Sequence, residues 1–295
     1  MASPCEVLLA LPAEQAELAR RMVRLAADEV WRIEKRYSRY RQDNLYAAMH
    51  ALPDQSQSMD AETARLLNFA DQAWHLSGGQ FDLTSGLLRR AWTFDGSDRL
   101  PQPERVAALL PLIGWQKIDW VSDPVNPAGE VGGGWLTLPA GMELDFGGIG
   151  KEYAADRALG ICLKAIPARW RNTGILINLG GDLACNGPRS NSEPWRVGVE
   201  PPQSEQTATL TLQMSRGGLA TSGDSSRYLM RDGKRYSHLL NPLTGWPVEN
   251  APRSVTVAGP SCIQSGLVAS LAMLKGQSAR DFLVETGLPH WVVDV

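Results

Sequence analysis

Asp145, Gly147, Gly148 and Lys151 fall within seven residues of one another, and these residue types at this spacing can hold a phosphate beside a hydroxyl. Backbone N–H groups at a helix start bind phosphate, and glycine removes the Cβ that would keep the phosphate at a distance. The surrounding stretch, Glu143-Leu-Asp-Phe-Gly-Gly-Ile-Gly-Lys-Glu-Tyr-Ala-Ala-Asp-Arg157, predicts a strand that delivers Asp145, a glycine turn, and a helix opened by Lys151. A carboxylate on one side and an ammonium on the other suit a nucleotide-like ligand. Gly-rich strand-to-helix turns also serve packing, so the weight falls on a set of similar turns. Ser77–Gly86 crowds Asp82, Thr84 and Ser85 behind a Gly78-Gly79 pair. Asn178–Asp182 repeats strand, Gly-Gly and acid, although a plain tight hairpin accounts for it about as well. Ala220–Tyr228 gathers hydroxyls around Gly223 and Asp224, with Arg227 close behind.

His238 differs in kind. It follows a strand-like stretch and precedes a turn fixed by Pro242 and Gly245. A histidine on a rigid turn is placed for general acid–base work. The other histidines, His50, His75 and His290, are scattered, and Cys5, Cys162, Cys185 and Cys262 form no Cys-x-x-Cys pair. Neither a zinc site nor a disulfide framework is expected, and the cysteines read as small core residues.

The elements that must position these residues follow from periodicity. Met22, Ala26, Val30, Ile33 and Tyr37 recur at three- and four-residue intervals and predict a long helix over Glu14–Arg41. Asp60 caps a second helix that ends at Gly78. Further helices are expected over Lys151–Ala165, Ile263–Leu274 and Asp281–Glu285. Strands are expected at Val7–Leu11, Lys117–Val121, Trp135–Leu138, Glu143–Phe146, Ile175–Asn178, Arg196–Glu200, Thr207–Met214, Ser254–Ala258 and Trp291–Val295. This order is no regular βαβ repeat, so an α+β fold with a mixed, largely antiparallel sheet is expected, as one domain over 1–295.

With 295 residues, 43% of them hydrophobic and 21% charged, the chain has the composition of an ordinary globular protein. A formal net charge of -3 gives no global pull towards nucleic acid. No apolar run is long enough to span a bilayer. The start, Met1-Ala-Ser-Pro-Cys-Glu6, has neither the pattern of a signal peptide nor a lipobox, so a cytoplasmic location is expected for the chain as given, and an envelope location if a leader was removed.

Taken in order, the blocks resemble those of the ApbE-type FAD:protein FMN transferase family. Met1–Val7, Tyr37–Asp43, Ser77–Gly86 with Trp92, Asp145–Lys151, Asn178–Asp182, Ala220–Tyr228 and Ser237–Gly245 match family blocks in family order. Any one is weak; the ordered set is specific. The resemblance implies an ApbE-like fold and an enzyme that cuts FAD and attaches FMN to a threonine of an acceptor protein, a flavin-bearing subunit of a redox complex. It implies that Met1, Tyr40, Gln80, Phe81, Asp82, Asp145 and Lys151 line the FAD site, and that His238 lies by the diphosphate and assists transfer. The Gly148 carbonyl and the Ser270 hydroxyl would contribute to a magnesium ion. In one place the chain departs from the family pattern. Where the family usually carries an aspartate four residues before the helix hydroxyl, this chain has Gly266. Magnesium is normally held by a carboxylate or two plus phosphate oxygens. Glycine inside a helix costs about 1 kcal/mol against alanine, here with no packing gain expected. Another acid, Asp182 or Asp224 first, would have to serve; otherwise the protein binds FAD without transferring it, as a carrier, scavenger or sensor.

Overall fold

The computed structural model describes residues 4–126, 129, 132–189, 192–199, 210–224 and 227–294. The chain divides into two compact units, each discontinuous in sequence: Met1–Arg36, Ile149–Ser225 and Asn250–Val295 form the first, Tyr37–Gly148 and Ser226–Glu249 the second.

The first unit is built on a six-stranded sheet in the order Cys5–Leu9, Ile175–Leu179, Asp182–Cys185, Gly217–Gly223, Ser254–Gly259, His290–Val293. Every neighbouring pair is antiparallel. Val255, Thr256 and Val257 are all buried, as a central strand requires, and the Thr256 and Thr221 hydroxyls bond across the ladder at 2.8 Å. The helix Cys262–Leu274 packs on Gly217–Gly223 and Ser254–Gly259, and the helix Gly150–Ala165 packs on both that helix and the strands Ile175–Leu179 and Asp182–Cys185. The long helix Ala16–Tyr37 turns Met22, Ala26, Val30 and Ile33 inward, the stripe its spacing predicts. A separate hairpin, Trp195–Val199 with Leu210–Met214, adds Trp195, Leu212 and Met214 to a cluster with Leu176, Leu183 and Leu219.

Asp156 joins the two helices of this unit. Its carboxylate accepts from the N–H groups of Cys262 and Ile263, both at 2.9 Å, where the first turn of Cys262–Leu274 has unpaired donors and a positive dipole end. Asp156→Ala is expected to lower stability by about 1–2 kcal/mol, as loss of a helix cap does; urea denaturation checks it, and an unchanged midpoint would show the contact to be idle.

The second unit holds a three-stranded antiparallel sheet, Ser56–Asp60, Gly133–Thr137 and Asp119–Ser122, with the helix Ala61–Ser77 against it. Asp60 caps that helix by accepting from Thr63 N at 2.9 Å, and Gly78 closes it. A hairpin, Tyr228–Arg231 with Lys234–Ser237, lies in the same unit, and Leu229 joins the cluster of Leu87, Leu88, Trp92, Val106 and Ile113.

The α+β class with antiparallel sheets is as expected from the sequence. One strand is not: residues 142–145 form none, and Phe146–Gly148 is a 3-10 turn. The backbone groups there find single partners instead of a ladder, Asp145 N on Leu83 O at 2.9 Å and Leu144 N on His50 Nε2 at 3.0 Å. The strand at Lys117–Val121 begins later, at Asp119, after a 3-10 turn over Trp115–Lys117. Short elements of weak periodicity, Leu45–Ala51, Ser56–Asp60 and Gly217–Gly223, had no signal of their own. Glu200, residues 207–209 and Val295, expected in strands, lie outside the described residues.

Candidate functional site

Within the first unit, Lys151 opens its helix beside the hairpin of Ile175–Leu179 and Asp182–Cys185. Gly180 and Gly181 make the two-residue turn with φ of 63° and 94°, values that favour glycine. The hairpin and the functional interpretation are therefore not alternatives, because the turn sets Asp182 inward at 2% exposure. Lys151 Nζ stands 2.6 Å from Asp182 Oδ2, a charge contact without hydrogen-bond alignment. Asp182 Oδ1 accepts from Thr221 N at 3.3 Å. Burial opposes the Lys151 charge, but Asp182 outweighs it and keeps the lysine a cation. Glu152, the next residue, is pushed up to about 8 by burial and then by repulsion from Asp182. Its Oε2 is buried without a hydrogen-bond partner.

Gly266 faces Glu152. A Cβ built on Gly266 would lie 2.7 Å from Glu152 Cγ and 3.1 Å from its Oε1. The expectation that this glycine brings no packing gain is corrected: a side chain at 266 would force Glu152 out of the position it holds. Ser270 sits on the same helix, half-buried. The two acids expected to serve in place of an aspartate at 266 have partners of their own, Asp182 in Lys151 and Thr221 and Asp224 in Arg253. Asp224 is buried and bonded to Arg253 Nε at 2.9 Å, and its own N–H meets the Arg253 carbonyl.

Within the second unit, Asp82 caps the 3-10 helix Leu83–Arg90. Its Oδ1 accepts from Thr84 N at 2.8 Å and Thr84 Oγ1 at 2.6 Å, and its Oδ2 from Trp115 N at 2.8 Å. The carboxylate builds the turn that presents its neighbours. Phe81 is held by its N–H on Ser77 Oγ at 2.9 Å, and its ring edge comes within 3.6 Å of where a Cβ on Gly148 would stand. Gln80 Oε1 is buried with no hydrogen-bond partner, an acceptor turned to something the protein does not supply.

Asp145 is paired with Arg39 and accepts from Gly147 N at 2.9 Å. The arginine also donates to the Tyr40 hydroxyl at 2.8 Å and lies over its ring. Tyr40 itself is 80% exposed, a large aromatic face offered outward. Sequence reasoning had no signal for Arg39, since its partner lies 106 positions away.

Glu143 is buried between Arg89 and Arg90 and accepts from the Tyr46 hydroxyl at 3.3 Å. Burial opposes its charge, but the two guanidiniums outweigh that and hold its carboxyl below the usual range. Tyr46 is pushed up to about 12 by burial and the Glu143 charge, and burial lowers neighbouring His50. A lowered folded-state pKa means stability that is present above about pH 4.5 and lost as pH falls through and below that value. Thermal melts should therefore show wild type more stable than Glu143→Gln at pH 7, with the gap closing towards pH 3. A gap independent of pH would deny the ion pairs this role.

His238 stands where its turn was expected to hold it. Its N–H and its Nδ1 both lie 3.2 Å from the Arg227 carbonyl. That contact sets the hydrogen on Nδ1 and makes Nε2 the basic nitrogen. Phe94 meets the ring edge-on, and the turn behind it is tied by Trp92 Nε1 donating to the Gly245 carbonyl at 2.8 Å. Met1, expected at the flavin, lies outside the described residues.

Among the described residues no three His, Cys, Asp or Glu side chains gather as a metal site, so any cation would complete its shell with ligand oxygens. The chemistry of the donors fits a hard cation all the same: carboxylate oxygens of Glu152 and Asp182 buried without a donor, and a hydroxyl on Ser270 of the neighbouring helix. Among the described residues no helix is long and apolar enough to cross a membrane.

A model of the ApbE family matches residues 1–290. The FAD:protein FMN transferase of Salmonella typhimurium is 30% identical over 223 residues, covering 73% of this chain and 60% of that protein. The chain thus spans less than two thirds of that relative. The enzyme of the same name from Haemophilus influenzae is 24% identical over 241 residues, 80% of this chain and 66% of its own. Among solved structures, an ApbE protein of Thermotoga maritima superposes with a TM-score of 0.77 at 26% identity, covering 92% of this chain and 86% of that one. The apo flavinyl transferase ApbE of Pseudomonas stutzeri gives 0.78 at 24% identity, covering 99% and 92%, and so supports the fold.

Proposed function

This chain belongs to the ApbE family, and on that premise we propose that it transfers FMN from FAD to a threonine side chain of an acceptor protein, assisted by magnesium. The match of the family model across residues 1–290 carries this reading. On the family resemblance, Gln80, Tyr40 and Lys151 are each expected to contact FAD, the first as a buried acceptor, the second as an aromatic face and the third as a cation for phosphate. The threonine oxygen attacks the phosphorus of the FMN half, the bridging P–O bond breaks, AMP leaves, and the threonine proton passes to Nε2 of His238. Magnesium, when bound, neutralises charge developing on the bridging oxygen. The Gly148 carbonyl and Ser270 hydroxyl are its expected protein oxygens. We read residues 1–295 as one ApbE-like domain acting on a flavoprotein subunit, with no nucleic-acid partner.

The test is flavinylation. The protein, FAD and magnesium are incubated with an acceptor known to be modified by another transferase, and the acceptor is weighed and scanned for in-gel flavin fluorescence. An FMN adduct on a threonine is expected. No adduct, with the control enzyme active, would leave the second reading, an FAD-binding carrier, scavenger or sensor. Gly266 is the observation that favours that alternative.

A further inference from the structure

Gly266 and Glu152 are one feature seen from two helices. The Glu152 side chain fills the space that any side chain at position 266 would take, with Cγ 2.7 Å and Cδ 3.2 Å from a Cβ built there. Its Oε2 is buried and receives no donor from the protein; the polar side chain Glu152 meets is another carboxylate, Asp182. A buried carboxylate oxygen left without a donor is costly unless a ligand completes it. Two neighbouring acids are accounted for, Asp156 by two helix N–H groups and Asp224 by Arg253; Asp182 meets Lys151 as a charge contact and also faces Glu152, its Oδ2 likewise buried without a donor. Ser270 lies four residues after Gly266, on the same face of that helix.

We infer that Glu152 supplies, from the adjacent helix, the carboxylate that position 266 lacks, so that Glu152 and Ser270 are oxygen donors to the divalent cation of the transfer reaction. This rests on the metal-assisted transfer proposed above. A glutamate reaching across from Gly150–Ala165 replaces a shorter acid on Cys262–Leu274, and the glycine is what makes the crossing possible. The activity of the chain then no longer depends on an aspartate at 266.

Manganese is the probe, its binding read by electron paramagnetic resonance in the presence of FAD. Glu152→Gln is expected to weaken Mn2+ binding at least about tenfold, with the melting temperature and metal-free FAD affinity retained. Gly266→Asp alone, whose new Cβ collides with Glu152, should bind Mn2+ no better than wild type. Combining Glu152→Gly with Gly266→Asp should recover the affinity that Glu152→Gly loses. Wild-type affinity in Glu152→Gln, no recovery in the double variant, or no Mn2+ uptake by wild type would each overturn the inference. Mn2+ held through Glu152 without FMN transfer would uphold it and overturn the proposed function instead.

Discussion

Replacing His238 by alanine is expected to slow flavin transfer by about 10²–10⁴-fold, the usual size of a general acid–base contribution, while FAD still binds. The geometry motivates both halves of this expectation. His238 Nδ1 is directed at the Arg227 carbonyl, 3.2 Å away, which makes Nε2 the ring's acceptor nitrogen and, in the proposed transfer, the one to take the proton. The turn that carries it is held by backbone bonds and by Trp92, so removing the imidazole leaves the turn in place. Single-turnover transfer at saturating FAD and magnesium measures the rate, and calorimetry the affinity. An unchanged rate would remove His238 from the reaction. A lost affinity with an unchanged rate at saturation would make it a binding residue only.

The second large effect is on stability. Asp182→Ala should cost about 3 kcal/mol, the lower end for breaking a buried ion pair. Asp182 is almost wholly buried, and its removal leaves the Lys151 ammonium inside without its counter-charge. The lower end applies because the Lys151 side chain keeps 35% of its surface exposed and can regain water. Denaturation midpoints test the size, and adding Lys151→Met tests the cause. The double variant should recover part of the loss. If it is as unstable as Asp182→Ala alone, the uncompensated charge is not the reason.

Much of this protein is written locally. The stripe from Met22 to Tyr37, the Asp60 cap and the helix after Lys151 were legible because helix formation depends on residues three and four apart. The Asn178–Asp182 turn was equally legible, since a Gly-Gly pair between apolar runs favours a tight hairpin whatever surrounds it. The family, too, was readable in the ordered blocks. The partners of the charged residues were not. Arg39 beside Asp145, Arg89 and Arg90 around Glu143, and Asp156 at the start of Cys262–Leu274 join positions 53 to 107 residues apart. No local pattern encodes such pairs.

Glu143–Phe146 shows the opposite error: its alternation is that of a strand, but a strand exists only where a neighbour offers a ladder, and none does here. Gly266 is the plainest case. In the sequence it is a poor helix residue, and the family resemblance implies a ligand missing there. Only the packing of one helix on another reveals the glutamate that occupies its place, because the meaning of an absent side chain depends on what stands where it would have been.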